Sequence, residues 1–385
     1  MTKRLGLFTR LLDRTPGTPA VRVYADAAEQ FAVAERLGYD IGWVAQHHFD
    51  PEEGGLPSPF VFLAAVAART ERIRLGTGIV TVALEDPVRV AEDAAVLDTL
   101  SGGRLELGLG SGGSAGAFAI FGRDAAARSE IYPAAVARVL DALAGRPLDG
   151  SGTRLHPDGT RLLDDVWQAT FSPAGGARIG ATGSGLLLSR HQPRPVDAPH
   201  ATLAQIQQPI VEAYTAALPP GVRPRVGASR AVLVGRDGDH VRALAREGAL
   251  RFAAYLRRVG QPVPRMSGDR DGDPADALLA ALDVHVGTPE EVIASLSTDP
   301  VVAAATDLIV QVHPADPGQA STLNSLELVA TDVAPALGCA PTTGQAGRAA
   351  APATSWSASA GPATWRSSDR TRRTPPTPAW RCRSA

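Results

Sequence analysis

The sequence predicts an α/β chain folded as a (β/α)8 TIM barrel with insertions. Strand and helix patterns alternate from the start, with four strand-helix units in about 110 residues, the rhythm of a parallel sheet. Eight strand patterns in all precede residue 338, within the length that one barrel with insertions takes.

The apolar run 5–8 reads as the first strand. Residues 25–37 carry apolar side chains at helical spacing and stop at Gly38. A second strand follows over 41–45, a helix over 57–69 and a third strand over 73–80. Residues 87–100 form a helix with Pro87 in its first turn, and 103–108 a fourth strand. The second half is looser. A helix over 130–144 leads into a Gly/Pro/Asp-rich excursion over 145–165. Strands are expected at 165–170, 185–189, 225–234 and 307–312. Helices are expected at 203–218, 239–258 and 319–333, with a polar insertion over 261–274. An open, doubly wound sheet is the alternative arrangement.

The barrel is expected to occupy residues 1–338. From Cys339 to Ala385 the composition changes. Asp369 is the only acid, three of the five tryptophans lie here, and no period survives. Such a stretch cannot bury a core and is expected to be a disordered tail, either a basic extension or an out-of-frame end.

With 44% hydrophobic residues the chain can bury a large core, and its net charge of -2 signals no polyanion-binding face. Nucleic acid is therefore not an expected partner. No membrane span or signal peptide is expected either, which points to a cytoplasmic protein. The two cysteines, Cys339 and Cys382, lie too late for a disulfide framework or a cysteine zinc site in the main body.

Barrel enzymes place their chemistry at the C-terminal ends of the strands. Here those ends carry Thr9 and Arg10, the run Gln46, His47 and His48, then Gly78 and Ile79, Gly110 and Ser111, Thr170, Ser189 and Arg190, the stretch from Arg230 onward, and His313. Adjacent residues in extended chain point to opposite sides, so one of His47 and His48 can face the mouth. A histidine there titrates near neutrality and suits proton transfer; a core or capping histidine is the plain alternative. The glycine-rich turn 108–113 follows the fourth strand rather than the first. It therefore fits close backbone approach to a ring or phosphate, or simply a tight loop, better than a dinucleotide fingerprint. Ser172 opens a helix whose free amides suit phosphate, or serves as an ordinary N-cap. Arg230 lies in an apolar strand and needs an anion: a structural ion pair, or an anionic cofactor or substrate group.

These residues resemble the bacterial luciferase family of flavin- and deazaflavin-dependent monooxygenases. Trp43, Gln46, His47, His48 and Phe49 are similar to the family's tryptophan, acid, double-histidine segment. The motifs at 75–79, 86–89, 91–93, 97–98 and 101–110 follow in the family's order, ending in Phe121 and Gly122. The resemblance is strong over 4–125, weaker through 167–170, 185–190 and 229–230, and fades by 338. It implies reduced FMN at the barrel mouth, supplied by a separate flavin reductase. Oxygen would add to the flavin, and the peroxyflavin would oxidise a small organic substrate. His47 takes the catalytic acid/base position, with Arg230 as a second catalytic residue. Gly78 and Ile79 fall where the family holds a non-proline cis peptide against the flavin. Gly110, Ser111, Thr170, Ser189 and Arg190 are the expected cofactor-binding residues, and no metal is expected. A homodimer paired through barrel helices is also implied.

Two departures matter. Gln46 replaces the acid before the double histidine, which removes any coupling of that acid to His47. Ser111 replaces a phosphate-binding arginine, leaving backbone amides, Ser111 and Arg190 or Arg230 for the phosphate. The alternatives are an F420-dependent dehydrogenase or reductase of the same fold, and a barrel that binds flavin without catalysis. The substrate would be set by the loops 145–165 and 261–274.

Overall fold

A computed structural model describes residues 2–12, 18–264 and 273–339. Its strands are β1 (Arg4–Thr9), β2 (Ile41–Val44), β3 (Arg74–Thr77), β4 (Val80–Thr81), β5 (Leu105–Gly110), β6 (Val166–Ala169), β7 (Gly185–Leu188), β8 (Val226–Val234), β9 (Val284–Gly287) and β10 (Asp307–Gln311). All pair in parallel in the order β1-β2-β3-β5-β6-β7-β8-β10, and β10 returns to β1 to close an eight-stranded barrel. The short β4 pairs with β5, and β9 extends the upper half of β8.

The surrounding helices are α1 (Ala20–Leu37), α2 (Pro59–Ala67), α3 (Pro87–Ser101), α4 (Ala115–Ile120), α5 (Arg128–Leu143), α6 (Pro173–Ala181), α7 (Leu203–Ala216), α8 (Gly238–Arg258), α9 (Pro274–Ala281), α10 (Pro289–Ser297), α11 (Pro300–Ala304) and α12 (Gln319–Leu328). Their boundaries follow local chemistry. Gly38 stops α1 in the left-handed conformation, at φ 86°. Asp86 caps α3 by accepting from the amides of Val88 and Arg89, with Pro87 next in line.

The expected barrel is therefore present, closed rather than doubly wound. The expected strand 73–80 is two strands, broken where the Gly78–Ile79 peptide is cis, as the resemblance implied. The sequence reading overlooked α9, β9, α10 and α11. At four residues, β9 is too short to show a period. Part of the polar insertion (265–272) and the tail from 340 lie outside the described residues. Cys339 is buried and bridges to Lys3.

The barrel interior is filled in layers. The indoles of Trp43 and Trp167 meet edge to face, with centroids 5.8 Å apart, alongside Ile41, Leu187 and Ile309. Glycines opposite make room for them. A Cβ on Gly76 would lie 2.2 Å from Trp43, and one on Gly185 2.3 Å from Trp167. These contacts give a packing reason for two of the glycines in the resembling motifs.

The floor, at the N-terminal strand ends, is ionic. The buried Glu106 carboxylate accepts from Arg4 at 2.5 Å, from Trp167 Nε1 at 2.7 Å, and from Arg74. Arg4 also donates to Asp307 at 2.6 Å. Burial alone would raise the Glu106 pKa, but Arg4 and Arg74 hold it down at about 2. With a packed interior and a charge-paired floor, the barrel offers ligands its upper end.

Candidate active site

His47 follows β2 directly. Strand alternation places Ile41 and Trp43 inside the barrel, and His47 continues that inward series. Its amide donates to the Leu56 carbonyl at 2.9 Å. Gly54 lies flat against the imidazole: a Cβ there would be 2.5 Å from Cδ2. His47 Nδ1 is 3.4 Å from a Glu53 carboxylate oxygen, and Nε2 is 3.4 Å from an Arg10 guanidinium nitrogen. That pairing favours a proton on Nδ1 facing Glu53 and a lone pair on Nε2. Burial lowers the His47 pKa and the charge of Arg10 lowers it further, while Glu53 opposes both. The imidazole is thus neutral at neutral pH, with 19% of its side chain exposed.

Gln46 has a separate task. Its Nε2 donates to Glu85 at 2.7 Å and to the Pro57 carbonyl at 3.2 Å, and its Oε1 accepts from the Thr81 amide at 2.7 Å. It ties the end of β2 to β4. Losing an acid at position 46 does not deprive His47 of a carboxylate, because Glu53 supplies one. The sequence reading missed Glu53. The available signal was an acid six residues beyond His47, in the same loop and next to Gly54. His48 points the other way and packs edge-on against Phe121, centroids 5.0 Å apart.

The opposing influences of Glu53 and Arg10 give a signed expectation. If His47 must be neutral to act, kcat/KM falls on the acid side, below the ordinary histidine value of about 6.5. Glu53→Gln removes a charge that raises the His47 pKa, so this limb should move to lower pH. Arg10→Gln removes a charge that lowers it, so the limb should move to higher pH. Profiles of kcat/KM against pH for the two variants check both directions.

The other expected residues ring the same end. Ile79 packs on Gly110, where a Cβ would lie 2.6 Å from Ile79 Cγ1, and Gly78 faces Phe8. Phe8, Ile79 and Ala169 top the interior cluster and are only partly buried. Together they form an apolar seat suited to a flat ring. Ser111 follows β5, half-buried. Thr170 follows β6, and its hydroxyl lies under the start of α6, where a Cβ on Gly175 would be 1.9 Å away. Ser172 caps α6 by accepting from the Gly175 amide at 3.1 Å. Ser189 follows β7, and its hydroxyl accepts from the His191 amide at 3.2 Å. Arg190 is 3% exposed, and neither of its terminal nitrogens has a hydrogen-bond partner. This set fits a flavin, which would rest its ring on the apolar seat and turn its polar edge to the hydroxyls of Ser111, Thr170 and Ser189.

Arg230 does not join them. Its neighbour Ser229 faces inward and accepts from Gln311 at 2.8 Å, so Arg230, one residue on, faces out. It is fully buried, and its Nε donates to Asp299, the N-cap of α11, at 2.8 Å. The expectation of a catalytic Arg230 is corrected: the side chain is a structural ion pair in the helix layer. Among the described residues, no group of His, Cys, Asp and Glu side chains could hold a metal ion.

Known proteins agree with this architecture. The family model for luciferase-like monooxygenases matches residues 4–306. An uncharacterized protein of Sinorhizobium fredii, y4wF, is 32% identical over 200 residues, covering 48% of this chain and 58% of that protein. The chain thus spans little more than half the length of that relative. Limonene 1,2-monooxygenase of Rhodococcus erythropolis is 28% identical over 315 residues, 78% of each chain. Among solved structures, the oxygenating constituent of 3,6-diketocamphane monooxygenase from Pseudomonas putida, in complex with FMN, superposes with a TM-score of 0.66 at 21% identity. That match covers 87% of this chain and 98% of the other. The coenzyme F420-dependent tetrahydromethanopterin reductase of Methanopyrus kandleri does so with a TM-score of 0.59 at 19% identity, covering 87% and 99%. At these identities the structures speak for the fold, and both cofactor types occur on it. The chain belongs to the luciferase-like monooxygenase family, a family of oxidoreductase enzymes.

Proposed function

We propose that this protein uses reduced FMN and oxygen to oxygenate a small organic substrate, with His47 as its acid/base residue. The observation that carries this is the setting of His47: a neutral imidazole at the barrel mouth, its Nδ1 facing Glu53 and its Nε2 turned to Arg10. Bound reduced flavin supplies the chemistry that activates oxygen, placing one atom in the substrate and releasing the other as water. Gly78, Ile79 and Gly110 would support the ring, with Ser111, Thr170 and Ser189 at its polar edge.

The chain's own part is to orient reactants and move a proton. His47 Nε2 holds a lone pair that accepts a proton and returns it. Glu53 fixes the tautomer and stabilises the imidazolium while it lasts, and Arg10 restores the neutral form. The end of α8 holds the Glu53 loop in place. Tyr255 donates to Asp50 at 3.3 Å, and Arg258 pairs with Glu52 at 2.9 Å, joining α8 to the loop that carries Glu53. Pairing into a homodimer through barrel helices, and supply of reduced FMN by a separate reductase, belong to the same reading. Exposed Val61, Val96 and Leu100 on α2 and α3 support the first. A trigonelline monooxygenase oxygenase component from Acinetobacter baylyi, 31% identical over 109 residues, supports the second.

Anaerobic titration with reduced FMN and, separately, reduced F420 tests the cofactor. Saturable binding of reduced FMN is expected. Binding of F420 alone would make the enzyme a hydride-transfer dehydrogenase on the same barrel.

A further inference from the structure

Resting on this reading, we infer that the substrate is a small organic anion, its acid group held by Arg10 and Arg190 beside His47. Both terminal nitrogens of Arg190 are buried without an acceptor, and so is Nε of Arg10. A buried guanidinium N–H without an acceptor leaves its lost hydration uncompensated, so such donors mark where an oxyanion is stabilised. The planar fork of arginine matches the two oxygens of a carboxylate.

The neighbouring groups sharpen the assignment. The Phe252 ring covers one face of the Arg190 guanidinium, 5.5 Å from its central carbon. The same ring meets His313 edge-on, with centroids 4.9 Å apart. His313 Nδ1 is 2.5 Å from Asp316, and its Nε2 is a further buried polar atom without a partner. The nearby carboxylates already have tasks: Glu53 faces His47, Asp50 accepts from Tyr255, and Asp316 pairs with His313. Burial, reinforced by the charge of Arg10 and partly offset by Asp316, lowers the Arg190 pKa to about 9, which still leaves it charged at neutral pH.

Most of this anion site stands apart from the flavin-phosphate seat, with Arg190 at the boundary between the two. The phosphate seat uses the ends of β5 and β6, with the start of α6. His313, Arg10 and His47 follow β10, β1 and β2 on the other arc of the closed ring, while Arg190 follows β7, the neighbour of β6, and sets its guanidinium against Phe252 of α8. That arc holds the acid/base residue, so an anion gripped there carries its attached carbon skeleton next to His47. Arg190, first expected to bind cofactor, is reassigned to substrate.

Calorimetric titration of the full-length protein with benzoate and with acetate, at constant ionic strength, tests the site. Wild type should bind at least one of them saturably, with or without reduced FMN. Arg190→Gln should weaken that binding by about tenfold or more, the loss expected for charge-assisted hydrogen bonds. Arg190→Lys keeps the charge without the fork and should fall between; with Arg10→Gln, it carries the test if Arg190→Gln does not fold. The cofactor arm compares reduced FMN with reduced riboflavin, which lacks the phosphate. Unchanged FMN affinity in Arg190→Gln supports the substrate assignment. Weakened FMN with unchanged riboflavin would give Arg190 to the cofactor phosphate and overturn it. Wild type that binds neither acid would overturn it as well. Arginine-dependent benzoate binding in a protein that does not bind reduced FMN would leave the anion site standing and remove the monooxygenase reading alone.

Discussion

Replacing His47 by alanine is expected to lower turnover by about two to four orders of magnitude, the usual contribution of a positioned acid/base group. Reduced-flavin binding should change little, because the expected flavin contacts come from the ends of β3, β5, β6 and β7 rather than from the imidazole. The fold should also survive. His47 lies at the rim, and the backbone bond from its amide to the Leu56 carbonyl is independent of its side chain. The measurement is single-turnover oxidation of the wild-type substrate by the reduced-FMN enzyme, with melting temperature recorded alongside. His47→Gln keeps a polar group of similar reach but cannot cycle a proton, so it should be nearly as impaired as alanine. Turnover within a factor of about three of wild type, well short of the smallest acid/base contribution, would remove His47 from the chemistry.

The second large effect concerns stability. Glu106→Gln keeps the shape of the floor but removes the charge that pairs Arg4 and Arg74. Breaking a buried ion pair from one side costs about 3–5 kcal/mol, and the lower end applies here because both arginines are partly exposed. Urea unfolding at neutral pH should show this loss. The pH dependence has a definite sign. The Glu106 pKa falls from an ordinary 4.5 to about 2 in the folded protein. Its contribution is therefore complete above the unfolded value and is lost as pH drops through the folded one. Between pH 4.5 and 2 the wild type should lose stability that Glu106→Gln never had, so the two unfolding curves should converge on acidification.

The barrel was legible because its strands are short apolar runs separated by amphipathic helices with plain stop signals, such as Gly38 after α1. The strand-end rule then placed His47, Gly78, Ile79, Gly110, Ser111, Thr170, Ser189 and Arg190 on one end, where they are found. Side-chain direction was less legible. Arg230 looked functional because a charge in an apolar strand demands a partner, but only the alternation of β8 against β10 shows that it faces the helices. Glu53 was hidden for a different reason. It sits in a loop, where no period announces which side chain turns back toward the mouth. The glycines of the motifs had two readings in the sequence, ligand approach or packing. The structure gives Gly76 and Gly185 a packing role against indoles, and Gly110 one against Ile79. The cluster of Arg10, Arg190 and His313 joins residues 123 to 303 positions apart, and only barrel closure brings them together.

On the proposed function, this mouth directs bound reduced FMN toward oxygen chemistry. Rapid mixing of the anaerobic reduced-FMN complex with oxygen tests it most directly. Flavin reoxidation on the protein is expected to proceed in resolved phases, distinct from the behaviour of free reduced FMN. Addition of an accepted carboxylate should then convert oxygen uptake from hydrogen peroxide release to product formation. Reoxidation indistinguishable from free FMN, with all oxygen recovered as hydrogen peroxide whichever acid is present, would contradict it.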